Sequence, residues 1–166
     1  MRCFLGIPVE AEQVSTILEQ LSRFPELRVV SPENVHMTMI FFGEIGDAES
    51  EKVAYRLKEF YYENPVIMHL AGPSCFPEPN KCRIIAMDDL NSDTLMLYRS
   101  VLQNISEDPE KRVFRAHVTL ARTRAQFKGK LTNYEVKFHA RRLVLYRSIL
   151  RPEGPEYDEI AEAQLI

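Results

Sequence analysis

The stretch His36-Met37-Thr38-Met39 places a histidine and a threonine two residues apart in a run of residues that favours a β-strand. About half a chain length later, His117-Val118-Thr119-Leu120 repeats the arrangement. Because side chains alternate between the two faces of a strand, the histidine and the threonine of each pair point the same way. The repeat predicts a duplicated unit that brings two imidazoles and two hydroxyl groups to one cleft.

Length and composition are typical of a small globular protein, with 166 residues of which 45% are hydrophobic and 27% are charged. This length fits a single domain over residues 1–166, built as two small lobes that share a core. No apolar run reaches the roughly 18 residues needed to span a bilayer. The first residues also become polar too soon for a signal peptide. We therefore expect no contact with a membrane, and as a separate expectation the protein is a monomer.

The three cysteines are Cys3, Cys75 and Cys82, an odd number without the spacing of a metal site. Such a count favours free thiols and a reducing compartment. The sequence therefore predicts a cytoplasmic protein.

The formal net charge of −3 hides an uneven distribution of charge along the chain. Between Lys111 and Arg151 there are twelve basic residues and one acid, Glu135, which gives this segment a charge of +11. The segment contains the second His-x-Thr pair, so it could attract a phosphate strongly. The alternative is that its basic strands only face acidic helices within the fold.

Apolar periodicity predicts strands that interleave with helices in two comparable halves. The predicted strands cover residues 2–9, 35–44, 65–71, 82–87, 114–121, 134–140 and 142–150, with a last strand within 157–166. The predicted helices cover residues 10–24, 47–62 and 92–106. We therefore expect an α+β fold with two ferredoxin-like, split βαβ lobes, whose mainly antiparallel sheets form a central cleft. The halves are expected to meet near residues 72–80, a loop rich in proline.

Two histidines in one site suit an attack on a phosphodiester. An unperturbed imidazole titrates near pH 6.5, so one ring can accept a proton from water while the other donates a proton to the leaving oxygen. The hydroxyls of Thr38 and Thr119 can donate hydrogen bonds to the equatorial oxygens of the phosphorus. A single His-x-Thr pair is more often structural, but two copies at a half-chain interval favour the catalytic interpretation.

Other kinds of site have weaker support in the sequence. Zinc sites usually use three or four His, Cys, Asp or Glu ligands. His69 and His139 each stand alone in a short alternating strand, which is typical of a structural histidine. The chain has no glycine-rich phosphate loop and no nucleophile-elbow pattern. We therefore expect neither a metal nor a cofactor.

Arg122 and Arg124 follow the second motif strand. Arg122 lies five residues after His117, so strict alternation puts the two side chains on opposite faces. Arg122 reaches the cleft only if the strand ends or bulges at Ala121. The two arginines are therefore either a phosphate clamp or a solvated strand end.

The two motif strands resemble those of the two-histidine phosphoesterases. Within that superfamily they resemble the RNA 2′,3′-cyclic phosphodiesterases, a LigT-like family also called 2′-5′ RNA ligases. The first match is Asn34-Val35-His36-Met37-Thr38-Met39 running into Phe41-Phe42-Gly43-Glu44, and the second is Ala116-His117-Val118-Thr119-Leu120-Ala121-Arg122. Ala116 departs from the pattern, because the family usually has proline there, but this change removes no chemical group.

The resemblance extends over nearly the whole chain. Residues 2–7 are similar to the family's opening strand, and residues 145–150, with Gly154 and Tyr157 after them, are similar to its closing hairpin. The resemblance implies a bilobal α+β fold with the cleft between the lobes. It also implies residue roles, with His36 as the proton donor, His117 as the base that activates water, and phosphate contacts from Thr38 and Thr119. The candidates for substrate contacts at the nucleoside are Arg122, Phe42 and Tyr146.

The function expected from the sequence is metal-independent hydrolysis of RNA 2′,3′-cyclic phosphate ends to 2′-phosphates. The expected partners are RNA ends or nucleotides that carry a 2′,3′-cyclic phosphate. One alternative is reversible 2′-5′ ligation of RNA at the same site, since one pair of histidines can serve both directions. The other alternative is an RNA-end binding module whose histidines only form hydrogen bonds.

Overall fold

The computed structural model describes residues 1–166 and contains nine strands and three α-helices. The strands are β1 (Arg2–Pro8), β2 (Leu27–Val29), β3 (His36–Glu44), β4 (Ile67–Phe76), β5 (Ile84–Asp89), β6 (His117–Thr123), β7 (Tyr134–His139), β8 (Arg142–Arg151) and β9 (Gly154–Gln164). The helices are α1 (Ala11–Leu21), α2 (Asp47–Glu59) and α3 (Asp93–Asn104). Two single turns of 3₁₀ helix, Pro32–Asn34 and Pro79–Lys81, lie in the connections.

The strands form two sheets, both antiparallel throughout. The four-stranded sheet has the order β3-β1-β8-β9, and the five-stranded sheet has the order β2-β6-β5-β4-β7. This architecture confirms the expected α+β fold with mainly antiparallel sheets. Each sheet takes strands from both halves of the sequence. The expected loop over residues 72–80 was wrong for residues 72–76, which extend β4 because they pair with β5 and β7, and only residues 77–80 lie in the connection between β4 and β5. The expectation that the two halves of the chain meet near residues 72–80 stays a prediction.

The helices pack their apolar faces on the sheets. In α1 the buried residues Val14, Ile17, Leu18 and Leu21 follow the spacing of one helical face. Helix α2 contacts β8 and β9, whereas α1 and α3 contact strands of the five-stranded sheet. A core of 37 buried residues runs through both sheets, so the two motif strands are anchored in one apolar interior. None of the helices has the length and apolar content needed to cross a membrane.

Both motif strands contain a β-bulge at the same place relative to the histidine. In β3, Gly6 of the neighbouring strand pairs with Thr38 and the preceding residue pairs with Ile40, so Met39 has no partner. In β6, Ala86 pairs with Thr119 and the preceding residue pairs with Ala121, so Leu120 has no partner. Because an extra residue interrupts the alternation of side chains, positions beyond each bulge change face.

The cysteines differ from the sequence-based expectation. Cys75 and Cys82 form a disulfide at the connection between β4 and β5, and only Cys3 is free, buried in the core. The expectation of three free thiols was therefore wrong for two of them. The antiparallel hairpin is the physical reason, because it brings the two Cα atoms to 5.1 Å, within the range that a disulfide can bridge.

Candidate active site

A cleft of about 680 Å³ lies where the two motif strands, β3 and β6, face each other. It is lined by both His-x-Thr pairs, so the structure brings together the four residues that the repeat singled out. Further lining residues come from the strands beside the motif strands, from the connection between β2 and β3 and from the hairpin between β8 and β9. They include Arg2, Phe4, Arg28, Asn34, Phe41, Arg122, Arg151, Glu156 and Tyr157.

The His36 ring is held by two hydrogen bonds. Its Nδ1 lies 2.7 Å from the carbonyl oxygen of Asn34, and because a carbonyl can only accept, Nδ1 carries the proton. Its Nε2 lies 3.0 Å from the hydroxyl of Thr38, which donates to it when the ring is neutral. The Asn34 side chain in turn donates to the carbonyl oxygen of Pro155 at 2.9 Å. The ring orientation is therefore tied to the hairpin between β8 and β9.

Aromatic rings pack against His36 on the floor of the cleft. The Phe4 ring centroid lies 4.7 Å from that of His36, and the Tyr157 ring meets His36 edge-on at 5.3 Å. Gly6 allows β1 to come close to β3, because a Cβ there would lie 2.9 Å from the carbonyl oxygen of Met37 and 3.5 Å from Cδ2 of His36. A side chain at this position would therefore displace the strand that carries the histidine.

The surroundings of His36 favour its neutral form. Burial lowers the pKa of His36 below its usual value of 6.5, because the enclosed ring is poorly solvated when it is charged. The hydrogen bond to Asn34 opposes this effect, while the positive charges of His117 and Arg122 lower the pKa further. Without a bound anion, His36 is therefore mainly neutral at pH 7.

His117 is held at one ring nitrogen and open at the other. Its Nδ1 donates to the carbonyl oxygen of Arg115 at 2.8 Å, which leaves Nε2 as the acceptor atom of the neutral ring. No protein group forms a hydrogen bond with this Nε2. The Arg115 guanidinium lies 3.4 Å from the centroid of the Phe76 ring and forms an ion pair with Asp88 at 2.9 Å. These contacts fix the backbone that orients the His117 ring.

The bulge in β6 brings Arg122 into the cleft, whereas Arg124 is not among the lining residues. Strict alternation would have turned Arg122 away from His117. The extra residue at Leu120 reverses the alternation, one position earlier than the break considered at Ala121. In β3 the corresponding bulge brings Phe41 to the cleft. Phe41 follows His36 by five residues, which is the same spacing as that between His117 and Arg122.

The structure does not bring Phe42 or Tyr146 to the cleft, although both were candidates for substrate contacts. Phe42 is only 7% exposed, because the alternation after the bulge turns it into the core and its neighbour Phe41 into the cleft. Tyr146 is also 7% exposed and stacks on Phe4 at 4.9 Å. Tyr146 therefore supports the floor of the cleft from behind, and Phe41 and Tyr157 are the aromatic residues that a ligand can reach.

The other two histidines lie outside the cleft. His69 is partly buried and lies 3.6 Å from Glu135, and His139 is exposed on β7. No group of three or more His, Cys, Asp or Glu side chains is arranged so that it could hold a metal ion.

The two histidines of the site are held in the same way. Each has its Nδ1 fixed by a backbone carbonyl, so Nε2 is the nitrogen left for other partners, which is the Thr38 hydroxyl for His36 and no protein group for His117. The hydroxyl of Thr119 and the guanidinium of Arg122 add donors that an oxyanion can use. This arrangement is suited to general acid–base chemistry on a phosphate ester.

Sequence reasoning missed four lining residues, Arg2, Arg28, Phe41 and Tyr157, as candidates for ligand contacts. Tyr157 was named only as part of the closing hairpin that resembles that of the family, without a role in ligand contacts. Arg28 lies in β2, a strand of three residues that is too short to give a periodic signal.

Comparison with known proteins finds similarity to phosphoesterases. Residues 5–86 match the family model described as LigT like phosphoesterase. A relative from Archaeoglobus fulgidus, named RNA 2′,3′-cyclic phosphodiesterase, is 29% identical over 96% of this chain and 98% of its own length. A relative of the same name from Methanocaldococcus jannaschii is 26% identical over 98% of this chain and 99% of its own.

Solved structures share the fold at lower sequence identity. A protein of Thermus thermophilus superposes with a TM-score of 0.80 at 20% identity, covering 99% of this chain and 98% of its own. E. coli LigT in complex with 3′-AMP superposes with a TM-score of 0.80 at 18% identity, covering 99% of this chain and 97% of its own. The chain therefore matches the LigT-like phosphoesterase family model over residues 5–86 and is similar over nearly its whole length to relatives named RNA 2′,3′-cyclic phosphodiesterase, and it shares the fold of LigT.

Proposed function

We propose that this phosphoesterase hydrolyses the 2′,3′-cyclic phosphate at the end of an RNA strand and releases a 2′-phosphate. The observation that carries the proposal is the pair of imidazoles in one cleft, each fixed at Nδ1 by a backbone carbonyl and each accompanied by a threonine. The relatives named RNA 2′,3′-cyclic phosphodiesterase support the choice of substrate.

In this proposal His117 is the general base. Its unpartnered Nε2 accepts a proton from a water molecule, and the oxygen of that water forms a bond to phosphorus. The bond from phosphorus to the 3′-oxygen breaks, which opens the ring and leaves the phosphate on the 2′-oxygen. Thr38, Thr119 and Arg122 donate to the phosphate oxygens, whose negative charge increases in the transition state.

His36 is the general acid of the proposed reaction and delivers a proton to the departing 3′-oxygen. Burial disfavours the charged ring, but a phosphate anion bound beside it favours that form because opposite charges attract. His36 therefore gains its proton together with the substrate.

The reaction as proposed requires no metal ion, because the two imidazoles supply both proton transfers. A rate that survives excess EDTA would support this, and a rate abolished by EDTA and restored by one divalent ion would contradict it. We also propose that the protein acts as a monomer in the cytoplasm on RNA ends or nucleotides, with Arg122 among the residues that bind them. A sedimentation measurement in dilute solution tests the oligomeric state.

The test of the function is incubation with adenosine 2′,3′-cyclic phosphate, followed by chromatography of the products. The expected product is adenosine 2′-phosphate, formed by the unaltered protein and reduced to a trace by His117→Ala. The 3′-phosphate as the main product would contradict the assigned direction of ring opening. Binding of the cyclic nucleotide without turnover would show a binding module instead of an enzyme.

A further inference from the structure

Arg28 and Arg122 are cross-strand partners on the antiparallel pair of β2 and β6. Both side chains are exposed and both line the cleft. No carboxylate oxygen lies within 4.0 Å of either guanidinium, since all ion pairs of the protein involve other residues. Two unpaired positive charges therefore lie directly opposite each other in the wall of the cleft.

This arrangement differs from that of the other arginines in the cleft. Arg151 forms an ion pair with Glu156 at 2.9 Å, and Arg2 lies over the Phe41 ring at 4.8 Å from its centroid. Like charges that face each other across a strand pair destabilise the sheet. An anion bound between Arg28 and Arg122 would remove this repulsion, and the guanidinium fork matches the oxygens of a phosphate.

The arginine pair extends the cleft beyond the reacting groups, and in the proposed reaction Arg122 is the member of the pair that also reaches the phosphate at the histidines. Arg122 is three residues beyond Thr119, so at about 3.3 Å per residue its Cα is at most about 10 Å further along the cleft. One phosphate group at the histidines and a second one at the arginines are therefore separated by a length that a single nucleotide can bridge. The positive charge of Arg122 also reaches His36, which agrees with neighbouring subsites.

We propose that Arg28 and Arg122 form a second anion subsite, which binds the 5′-phosphate of the terminal nucleotide of the RNA. The proposal rests on the function proposed above. It explains how the active site distinguishes the end of an RNA strand from a nucleotide that lacks a 5′-phosphate. In an RNA strand this phosphate joins the terminal nucleotide to the preceding one. A nucleoside cyclic phosphate with a free 5′-hydroxyl lacks it, so the enzyme favours a strand end over such a nucleotide.

The test compares the binding of two probes that differ only in the second phosphate. Adenosine 2′-phosphate and adenosine 2′,5′-bisphosphate are titrated calorimetrically at one fixed salt concentration. The unaltered protein is expected to bind the bisphosphate at least about tenfold more tightly, as one charge-assisted hydrogen bond provides. Arg28→Ala is expected to reduce this preference about tenfold, and Arg28→Lys, which keeps the charge but loses the fork, less than that.

The matched control is Arg83→Ala, which removes another exposed arginine, beside β5, outside the cleft and without a carboxylate partner. Its preference for the bisphosphate should equal that of the unaltered protein, which excludes a general effect of net charge. Arg28→Gln serves as a second variant if Arg28→Ala does not fold. An unchanged preference in a folded Arg28 variant would overturn the subsite.

The outcome for the subsite is independent of the outcome for the reaction. Hydrolysis of adenosine 2′,3′-cyclic phosphate together with a preference that Arg28→Ala leaves unchanged would overturn the subsite and keep the function. Absence of hydrolysis together with a preference that Arg28→Ala abolishes would overturn the function and keep the anion subsite.

Discussion

The two motif strands, β3 and β6, share a backbone but differ in what surrounds it. Each carries a histidine, a threonine two residues later, a bulge at the next position and a cleft-facing residue five positions after the histidine. In β3 that last residue is Phe41, next to a histidine packed among aromatic rings. In β6 it is Arg122, opposite a second arginine and next to a histidine whose Nε2 is open to the cleft.

In the proposed mechanism this difference allows one backbone arrangement to provide two opposite proton-transfer roles. The sequence of each motif determines which groups reach the cleft, whereas the neighbouring strands determine how each group behaves. The enclosed ring of His36 has a lowered pKa and a hydroxyl partner, which suits the proton donor once an anion is bound. The open ring of His117 has a free acceptor nitrogen, which suits the base.

The largest effects are expected from removing either ring. His36→Ala and His117→Ala should each lower kcat/KM for a 2′,3′-cyclic nucleotide by on the order of 10² to 10⁴, the range for a lost general acid or base. Circular dichroism should show that both variants stay folded, because both rings border the open cleft. If either variant kept the rate of the unaltered protein, the two strands would not be partners in the reaction.

Removing either threonine hydroxyl should have a smaller effect. Thr38→Val and Thr119→Val keep the β-branched shape and lose one donor to the phosphate, so each should lower kcat/KM by about 10- to 100-fold, as expected for a hydrogen bond to a charged group. Thr16→Val, at an exposed position on α1, is the control and should leave the rate unchanged. A rate unaffected by Thr119→Val would mean that the two strands share only their histidines.

The pKa of His36 should respond to the arginine on the other strand. NMR titration of the imidazole signals should place this pKa below 6.5, since burial is the main cause of the shift. Arg122 lowers the pKa of His36 through its positive charge, so Arg122→Ala should raise it towards 6.5. Arg83→Ala should have no such effect. If Arg122→Ala left the pKa of His36 unchanged or lowered it, the claim that the charge of Arg122 on β6 acts on His36 on β3 would be contradicted.

The smallest effect expected is the dependence of binding on salt. The basic residues beside the cleft should contact only a few phosphates of the RNA. For single strands, each contacted phosphate contributes about −0.7 to the slope of log K against log salt, where K is the binding constant. The slope should therefore be roughly −1 to −3. The binding of short and long RNA to the inactive His117→Ala variant measures this slope. Arg122→Glu should make it shallower. A steep slope that increases with RNA length would indicate an extended basic track instead.

The parts of the fold that depend on local pattern could be predicted from the sequence. Apolar periodicity located the three helices and both motif strands within a few residues, and the repeat of His-x-Thr located the four residues that meet in the cleft. The fold class also followed, because strands and helices alternate along the chain and the sheets are antiparallel.

The features that depend on a partner strand could not be predicted in this way. A bulge is defined by the register of two strands, so the positions of Met39 and Leu120 are not marked in the local sequence. Without the bulges, alternation places neither Phe41 nor Arg122 in the cleft. Strand β2 is visible only through its pairing with β6, and the disulfide between Cys75 and Cys82 depends on the hairpin that joins them.

The most direct test of the division of roles between β3 and β6 is the pH profile of kcat/KM for three proteins on one cyclic nucleotide. The unaltered protein should give a bell-shaped profile with both limbs between about pH 5 and 9, because a protonated and a neutral imidazole are needed together. His117→Ala should lose the acidic limb, so that its residual rate only falls as the pH rises. His36→Ala should lose the alkaline limb, so that its residual rate only rises. If both variants lost the same limb, or if both kept the full bell, the assignment of an acid to β3 and a base to β6 would be contradicted.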